Sequence, residues 1–347
     1  MTTEMTTEMT TEARRRIEAR LGYLRAAADR LVIDADVHPS VREHLPLEIA
    51  ERIAADPDYF HGRPLSGDTL LRRMDQARVD MALCWQNPAV LAYTADRAEN
   101  ARRLGAANED IAELAASLPE RVIPGGWTDP KALGTEAAIA LAERCVRELA
   151  MPIVKMNPAQ NAYPIDDPMV LEVVDAIVEL GAVPAFHFGS DTPYTPVAGL
   201  ERVVRRHPDH PLIGVHMGGG GGGFVEAEET YQGARTLGLA CPNLFYVLSA
   251  KRDAHIESAL IGYAAAGEPW RRNLAVASDA PYGDMNWNFG GFRALFAALA
   301  DGEHYGDPRL AAEPALFDEG TVAGFMGGNF ARLVIEADER VLAAHDA

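Results

Sequence analysis

Eight short apolar runs, each followed by a stretch of helical periodicity, constrain this 347-residue chain more than any other feature. A first helix is expected over 13–30, with Ile17, Leu21, Leu24 and Ala28 near one face, capping the underside of the body. The runs then fall within 31–40 and at 79–85 (VDMALCW), 121–127, 152–156 (PIVKM), 182–188 (AVPAFHF), 212–216 (LIGVH), 243–248 and 274–278 (LAVAS). Helices are expected between and after them at 69–78, 94–118, 135–148, 168–180, 197–206, 225–237, 254–266, 290–301 and 318–333. Parallel strands are buried on both faces and therefore read as nearly continuous apolar runs. Eight of them alternating with helices imply a closed (β/α)8 TIM barrel of the α/β class rather than an open sheet.

No shift in composition marks a second domain, so one barrel domain is expected over 13–347. It follows a disordered repeat, MTTEMTTEMTTE, at 1–12. Residues 39–68, with His44, Tyr59, Phe60 and His61, form an insertion too long for a plain connection, which suggests a lid or substrate loop. The formal charge of −19 argues against nucleic acid and against anionic membranes as partners. No apolar run approaches the ~18 residues of a membrane helix, and the N-terminus lacks a hydrophobic signal region. Cys84, Cys145 and Cys241 are odd in number and far apart, which suits a reducing cytoplasm.

In such barrels the chemistry lies at the carboxyl ends of the strands. The first run, LVIDADVHPS, sets Asp34, Asp36 and His38 at alternate positions, so Asp36 and His38 project from one face before Pro39 stops the ladder. A buried carboxylate and imidazole side by side are costly unless something binds them. A divalent cation is one answer; an Asp–His hydrogen bond or a helix cap is another. Strand five ends in His187, strand six in His216 and strand eight in Asp279. Each alone could be a hydrogen-bonded core histidine or a turn cap. Four strands delivering metal-ligand types to one rim favour the cation.

The order D-x-D-x-H, a strand-five His, H-M-G-G and S-D-A-P resembles the amidohydrolase superfamily. More narrowly it resembles the amidohydrolase-related branch that includes aminocarboxymuconate semialdehyde decarboxylase and γ-resorcylate decarboxylase. VKMNP with YPIDDP is similar to that branch's fourth-strand segment, and FMGGNFARL to its closing helix. The resemblance implies one divalent metal ion, zinc first and manganese second. Its ligands would be Asp36, His38, His187 and Asp279, with His216 beside the metal and acting on substrate or water. Asp36 stands where well-known members have His or Glu, a departure that shortens the reach of this ligand. In the mononuclear branch the fourth-strand lysine is not a bridging ligand, so Lys155 reads as a substrate-facing cation or as half of a structural salt bridge.

The glycines at 218–223 suggest a flexible rim of the site rather than a phosphate cradle, since no GxxxxGK[ST] occurs. Trp85, Asn87, Arg252 and Trp287 are candidates to line a substrate pocket, with ordinary loop packing as the alternative. Two chemistries fit one metal beside His216 and Asp279. One is non-oxidative decarboxylation of a small aromatic or unsaturated carboxylic acid, with Asp279 or His216 as proton donor. The other is hydrolysis of a C–N, ester or lactone bond by water activated at the metal. The branch favours the carboxy-lyase. A catalytically silent binding barrel is a third reading, opposed by the retention of all five polar residues together. The resemblance also implies a small-molecule substrate and a homodimer.

Overall fold

Strand β1 (Ile33–Val37) starts the barrel. It is followed in order by β2 (Met81–Cys84), β3 (Val122–Trp127), β4 (Ile153–Met156), β5 (Val183–Gly189), β6 (Leu212–Gly218), β7 (Leu244–Leu248) and β8 (Leu274–Val276). These come from a computed structural model that describes residues 8–40, 47–55, 65–189, 193–219, 228–249, 253–301 and 316–346. The strands pair sequentially and in parallel, from β1 through to β8. The ring is joined beyond the ladder, where Val37 bridges to Ala280 and the His38 amide donates to the Ala280 carbonyl at 2.7 Å. The architecture is therefore the expected TIM barrel; β1 falls inside its expected stretch, and every other strand lies within two residues of its expected bounds. Val, Ile, Leu, Phe and Ala fill the strands, and all but His187 of the strand residues are buried.

The helices between strands follow the expected pattern, with Thr135–Arg147, Pro168–Glu179 and Val197–Arg206 nearly unchanged. Three departures occur. The helix after β8 begins early, at Met285, because Asp284 caps it by accepting from the Trp287 amide at 2.9 Å. The insertion after β1 contains a helix, Leu47–Ala55, while the rest of that insertion at 41–46 and 56–64 lies outside the described residues. The closing segment is broken: Glu319–Ala323 is followed by a π turn, Gly324–Gly328, before Asn329–Asp346 runs on well past 333. The break sits where Gly327 meets β1. A Cβ there would lie 2.3 Å from the Leu31 carbonyl oxygen, so only glycine allows the approach.

The first helix, Thr11–Ala27, starts at a cap formed by Thr10, whose hydroxyl accepts from the Ala13 amide. It packs on the closing helix through a buried pair. The Arg20 guanidinium donates to both carboxylate oxygens of Asp338, at 2.8 and 2.5 Å, and to the Ala150 carbonyl at 2.9 Å.

Asp34 belongs to the seam between β1 and β8 rather than to the rim. Its Oδ1 accepts from the Ser278 amide at 2.9 Å and its Oδ2 from the Ser278 hydroxyl at 2.5 Å. Burial pushes its carboxyl up to about 7, against the opposing effect of the Ser278 donors. In the unfolded chain it titrates near ~4. The folded protein thus holds an extra proton between those values. The associated stability is present in full below about pH 4 and is lost as pH rises through about 7. Asp34→Asn is expected to remove a slope worth roughly 3–4 kcal/mol across that window. Urea denaturation at pH 5 and pH 8 checks this; equal slopes for parent and variant would refute it.

Candidate metal centre and active site

The carboxyl ends of β1, β6 and β8 bring three ligand types together. Asp36, His216 and Asp279 each offer one ligand atom, and these atoms lie within 4.8 Å of one another. His38 joins them: its Nε2 is 3.4 Å from Asp36 Oδ1 and 3.6 Å from Asp279 Oδ1. Its Nδ1 lies 2.8 Å from the Gln86 carbonyl. A carbonyl only accepts, so Nδ1 carries the proton and the Nε2 lone pair faces the two carboxylates. Burial, and then the Lys155 charge, lower the His38 pKa and favour the neutral ring that a cation needs. The ring is flanked edge-on by Trp127 and Tyr282, at centroid distances of 6.0 and 5.6 Å.

Asp36 is fully buried, and its oxygens are largely occupied. Oδ1 accepts from the Trp85 indole at 2.8 Å and the Lys155 ammonium at 3.1 Å; Oδ2 accepts from the Ser249 hydroxyl at 3.1 Å. Burial alone would raise its pKa. Lys155, with His38 and His216, outweighs burial and holds the carboxyl well below the usual range. Each carboxylate oxygen offers two lone-pair directions. Oδ1 is spent on two donors, so Asp36 can offer a cation Oδ2 alone.

Asp279 differs sharply from Asp36. Burial, and then the Asp36 charge, push its carboxyl well above the usual range. A cation in contact with it would reverse that shift. Its backbone is left-handed, at φ 57°, which aims the side chain inward from the end of β8. The turn that follows is held by the Tyr282 and Gly283 amides, which donate to the Asp279 carbonyl at 2.7 and 2.9 Å. Gly283 is required there, because a Cβ would lie 2.1 Å from the Ser278 carbonyl oxygen.

The end of β6 is also bent. His216, Met217 and Gly218 have φ of 75°, 45° and 82°, and the β5–β6 register shifts between His187 and Gly189. Left-handed backbone at a non-glycine residue costs about 1–2 kcal/mol. Here it turns His216 into the cluster, with Nδ1 4.0 Å from Asp36 Oδ2. His187, the fifth-strand residue expected as a ligand, stands one step away from the three-residue cluster. Its Nδ1 lies 3.1 Å from His216 Nε2, with the rings edge-on at 4.5 Å. Burial, and then His216 and Lys155, keep its pKa well below the ordinary value, so it is neutral at pH 7.

The expected pocket residues divide. Lys155 is 1% exposed and is the counter-ion of Asp36, with its ammonium 4.5 and 5.2 Å from the ring centroids of Trp85 and Trp127. Trp85 is fully buried and holds Asp36. Asn87 ties loops together: it donates to Ser40 Oγ at 3.2 Å and accepts the Tyr282 hydroxyl at 2.5 Å. Trp287 stands 82% exposed in the first turn of the helix after β8. Arg252 lies outside the described residues. A cavity of about 450 Å3 adjoins the cluster rather than containing it, lined by Pro39, Ser40, Gln86, Asn87, Ile111 and Leu114 among others. Ser249, Tyr282 and the Gln86 carbonyl are the site groups that the strand-end reading misses. Ser249 could have been found by that same reading, since it directly follows β7.

The donor set is two carboxyl groups and the imidazoles of His38 and His216 converging on one point, which suits zinc or manganese. The fold and the cluster define an α/β barrel with a candidate metal centre, and the family model described as amidohydrolase matches residues 33–334. The chain belongs to the amidohydrolase family and is an enzyme of the amidohydrolase superfamily. Solved structures of similar fold include a 2,6-dihydroxybenzoate decarboxylase from Rhizobium, 16% identical with a TM-score of 0.59, covering 88% of this chain and 98% of that one. A dihydroxybenzoic acid decarboxylase from a Polaromonas species, with bound manganese and the inhibitor 2-nitroresorcinol, is 16% identical with a TM-score of 0.60, covering 88% and 96%. A 5-carboxyvanillate decarboxylase from Sphingomonas paucimobilis is 18% identical with a TM-score of 0.58, covering 87% and 98%. No curated protein matches the chain. No helix among the described residues is long and apolar enough to cross a membrane.

Proposed function

We propose that this enzyme is a divalent-metal-dependent, non-oxidative decarboxylase of a small aromatic or unsaturated carboxylic acid. One observation carries the reading: Asp36, His38, His216 and Asp279 converge at the carboxyl ends of three strands, with Asp36, His38 and His216 oriented by buried hydrogen-bond partners. The decarboxylases of similar fold, one of them with bound manganese, support it. Asp36 Oδ2, His38 Nε2 and Asp279 would hold the ion, with the imidazole of His187 or His216 completing the set. When bound, the cation supplies positive charge that orients the substrate carboxylate and a neighbouring oxygen.

The remaining steps belong to the chain. His216, or Asp279 through the carboxyl oxygen that does not face the ion, gives a proton to the carbon bearing the carboxylate. The bond to that carboxylate breaks, its electron pair returns to the substrate, and CO2 leaves, so no oxidant is consumed. Lys155 keeps Asp36 ionised and in place. In this reading Asn87, which lines the adjoining cavity, and the exposed Trp287 would contact the substrate.

The test is CO2 release from ortho-hydroxybenzoates by the manganese- or zinc-loaded protein, run beside hydrolysis of amides and lactones. CO2 release that is lost on chelation and restored by metal is the expected result. Turnover of amides or lactones alone would overturn the proposal and assign hydrolysis to the same residues.

A further inference from the structure

Ser249 links two members of the cluster and sits between them in one possible polarity only. Its hydroxyl is 3.1 Å from Asp36 Oδ2 and 2.9 Å from His216 Nδ1, and the residue is 2% exposed. Asp36, beside the Lys155 ammonium, is a carboxylate and only accepts. The single hydroxyl hydrogen therefore goes to Asp36. The Ser249 oxygen is left to accept, so His216 Nδ1 must carry a proton. In a neutral ring this puts the lone pair on Nε2, which faces His187 Nδ1 at 3.1 Å. His187 then donates from Nδ1 and keeps its own lone pair on Nε2.

We propose that Ser249 is a positioning residue that sets the tautomer of His216, and through it that of His187, by relaying the fixed charge of Asp36. The chain of donations runs from His187 to His216 to Ser249 to Asp36. It has a consequence for the two histidines. While their 3.1 Å hydrogen bond lasts, His187 alone can offer an Nε2 lone pair to a cation, and His216 Nε2 remains the acceptor beside it. His216 can ligate through Nε2 only by giving up His187. The proposal rests on the decarboxylase reading only for the use made of the tautomer, not for its existence.

The experiment separates the two. In metal-free, 15N-labelled protein at pH 8, two-bond nitrogen–proton correlations report the tautomer of each histidine, with His216 assigned by comparison with His216→Asn. The parent is expected to show His216 protonated on Nδ1. Ser249→Thr, which keeps the hydroxyl, should keep that state. Ser249→Ala should lose it to an Nε2-protonated or mixed population. Titration with Mn2+ should show a 10–100-fold weaker affinity for Ser249→Ala than for the parent, the range for a lost partner of a ligand, with recovery in Ser249→Thr. Far-UV circular dichroism confirms that each variant is folded; should Ser249→Ala not fold, Ser249→Cys, a weak donor, takes its place and the same loss is expected. An Nε2-protonated His216 in the parent would overturn the proposal. So would an unchanged tautomer in Ser249→Ala, or a Thr variant that behaves like Ala. Failure of CO2 release with the tautomers as expected would sink the decarboxylase reading and leave this one standing.

Discussion

Asp279→Asn is expected to abolish metal retention and lower turnover by roughly 10²–10⁴-fold while making the metal-free protein more stable. Asp279 is buried beside Asp36, and both burial and that neighbouring charge oppose its ionisation. Folding therefore holds a carboxyl that would rather be neutral, a cost accepted for function. An amide of the same shape removes the repulsion, and a gain of about 1 kcal/mol or more at pH 8 follows. The same substitution deletes a proposed anionic ligand and one of the two proposed proton donors, a role whose contribution is typically ~10²–10⁴-fold. Urea denaturation with chelator, metal content after gel filtration and the CO2 assay read the three effects separately. A variant that keeps one metal per chain and parental turnover would refute the assignment. In the parent, metal affinity should weaken as pH falls, because a proton on Asp279 competes with the ion.

Lys155→Met is expected to cost about 3–5 kcal/mol, the usual result of removing one partner of a buried ion pair. Asp36 would keep its Trp85 and Ser249 donors but lose its counter-charge. Methionine fills most of the space between the two indoles, so lost packing is a minor part of the effect. Two comparisons isolate the charge. Saturating divalent metal should restore more stability to Lys155→Met than it adds to the parent, because it replaces the missing positive charge near Asp36. Asp36→Asn in the Lys155→Met background should also recover much of the loss, a coupling that a double-mutant cycle measures. A loss below ~1 kcal/mol would mean that Lys155 is not the counter-ion of Asp36.

Both predictions depend on distances, and no sequence pattern holds those. The alternation of apolar runs with helical periods determined the barrel by itself. Strands buried on both faces must be apolar along their length, and eight of them at such spacing close in one way. The same logic placed Asp36 and His38 on one face, since side chains two apart in a strand share a side. It placed His187, His216 and Asp279 at the same rim, because parallel strands end together. Local signals were strong enough there because the strand period and the barrel rule are short-range.

What each rim residue does was decided by tertiary contact. In the linear chain Trp85 reads as a pocket residue and Lys155 as either a substrate-facing cation or half of a salt bridge; both are committed to the Asp36 carboxylate, Lys155 from β4 and Trp85 from the residue after β2. Asp34 and Asp279 are the same residue type at strand positions, but one closes the seam to Ser278 and the other faces the cluster. The left-handed turns at His216 and Asp279 re-aim both side chains, and no periodicity predicts a residue that leaves its strand geometry. The polarity that Ser249 imposes joins residues 36, 187, 216 and 249, and hydrogen-bond direction exists only once those groups are within 3.1 Å of one another. Composition and period are properties of neighbours in the chain; lone pairs and charges are assigned by neighbours in space.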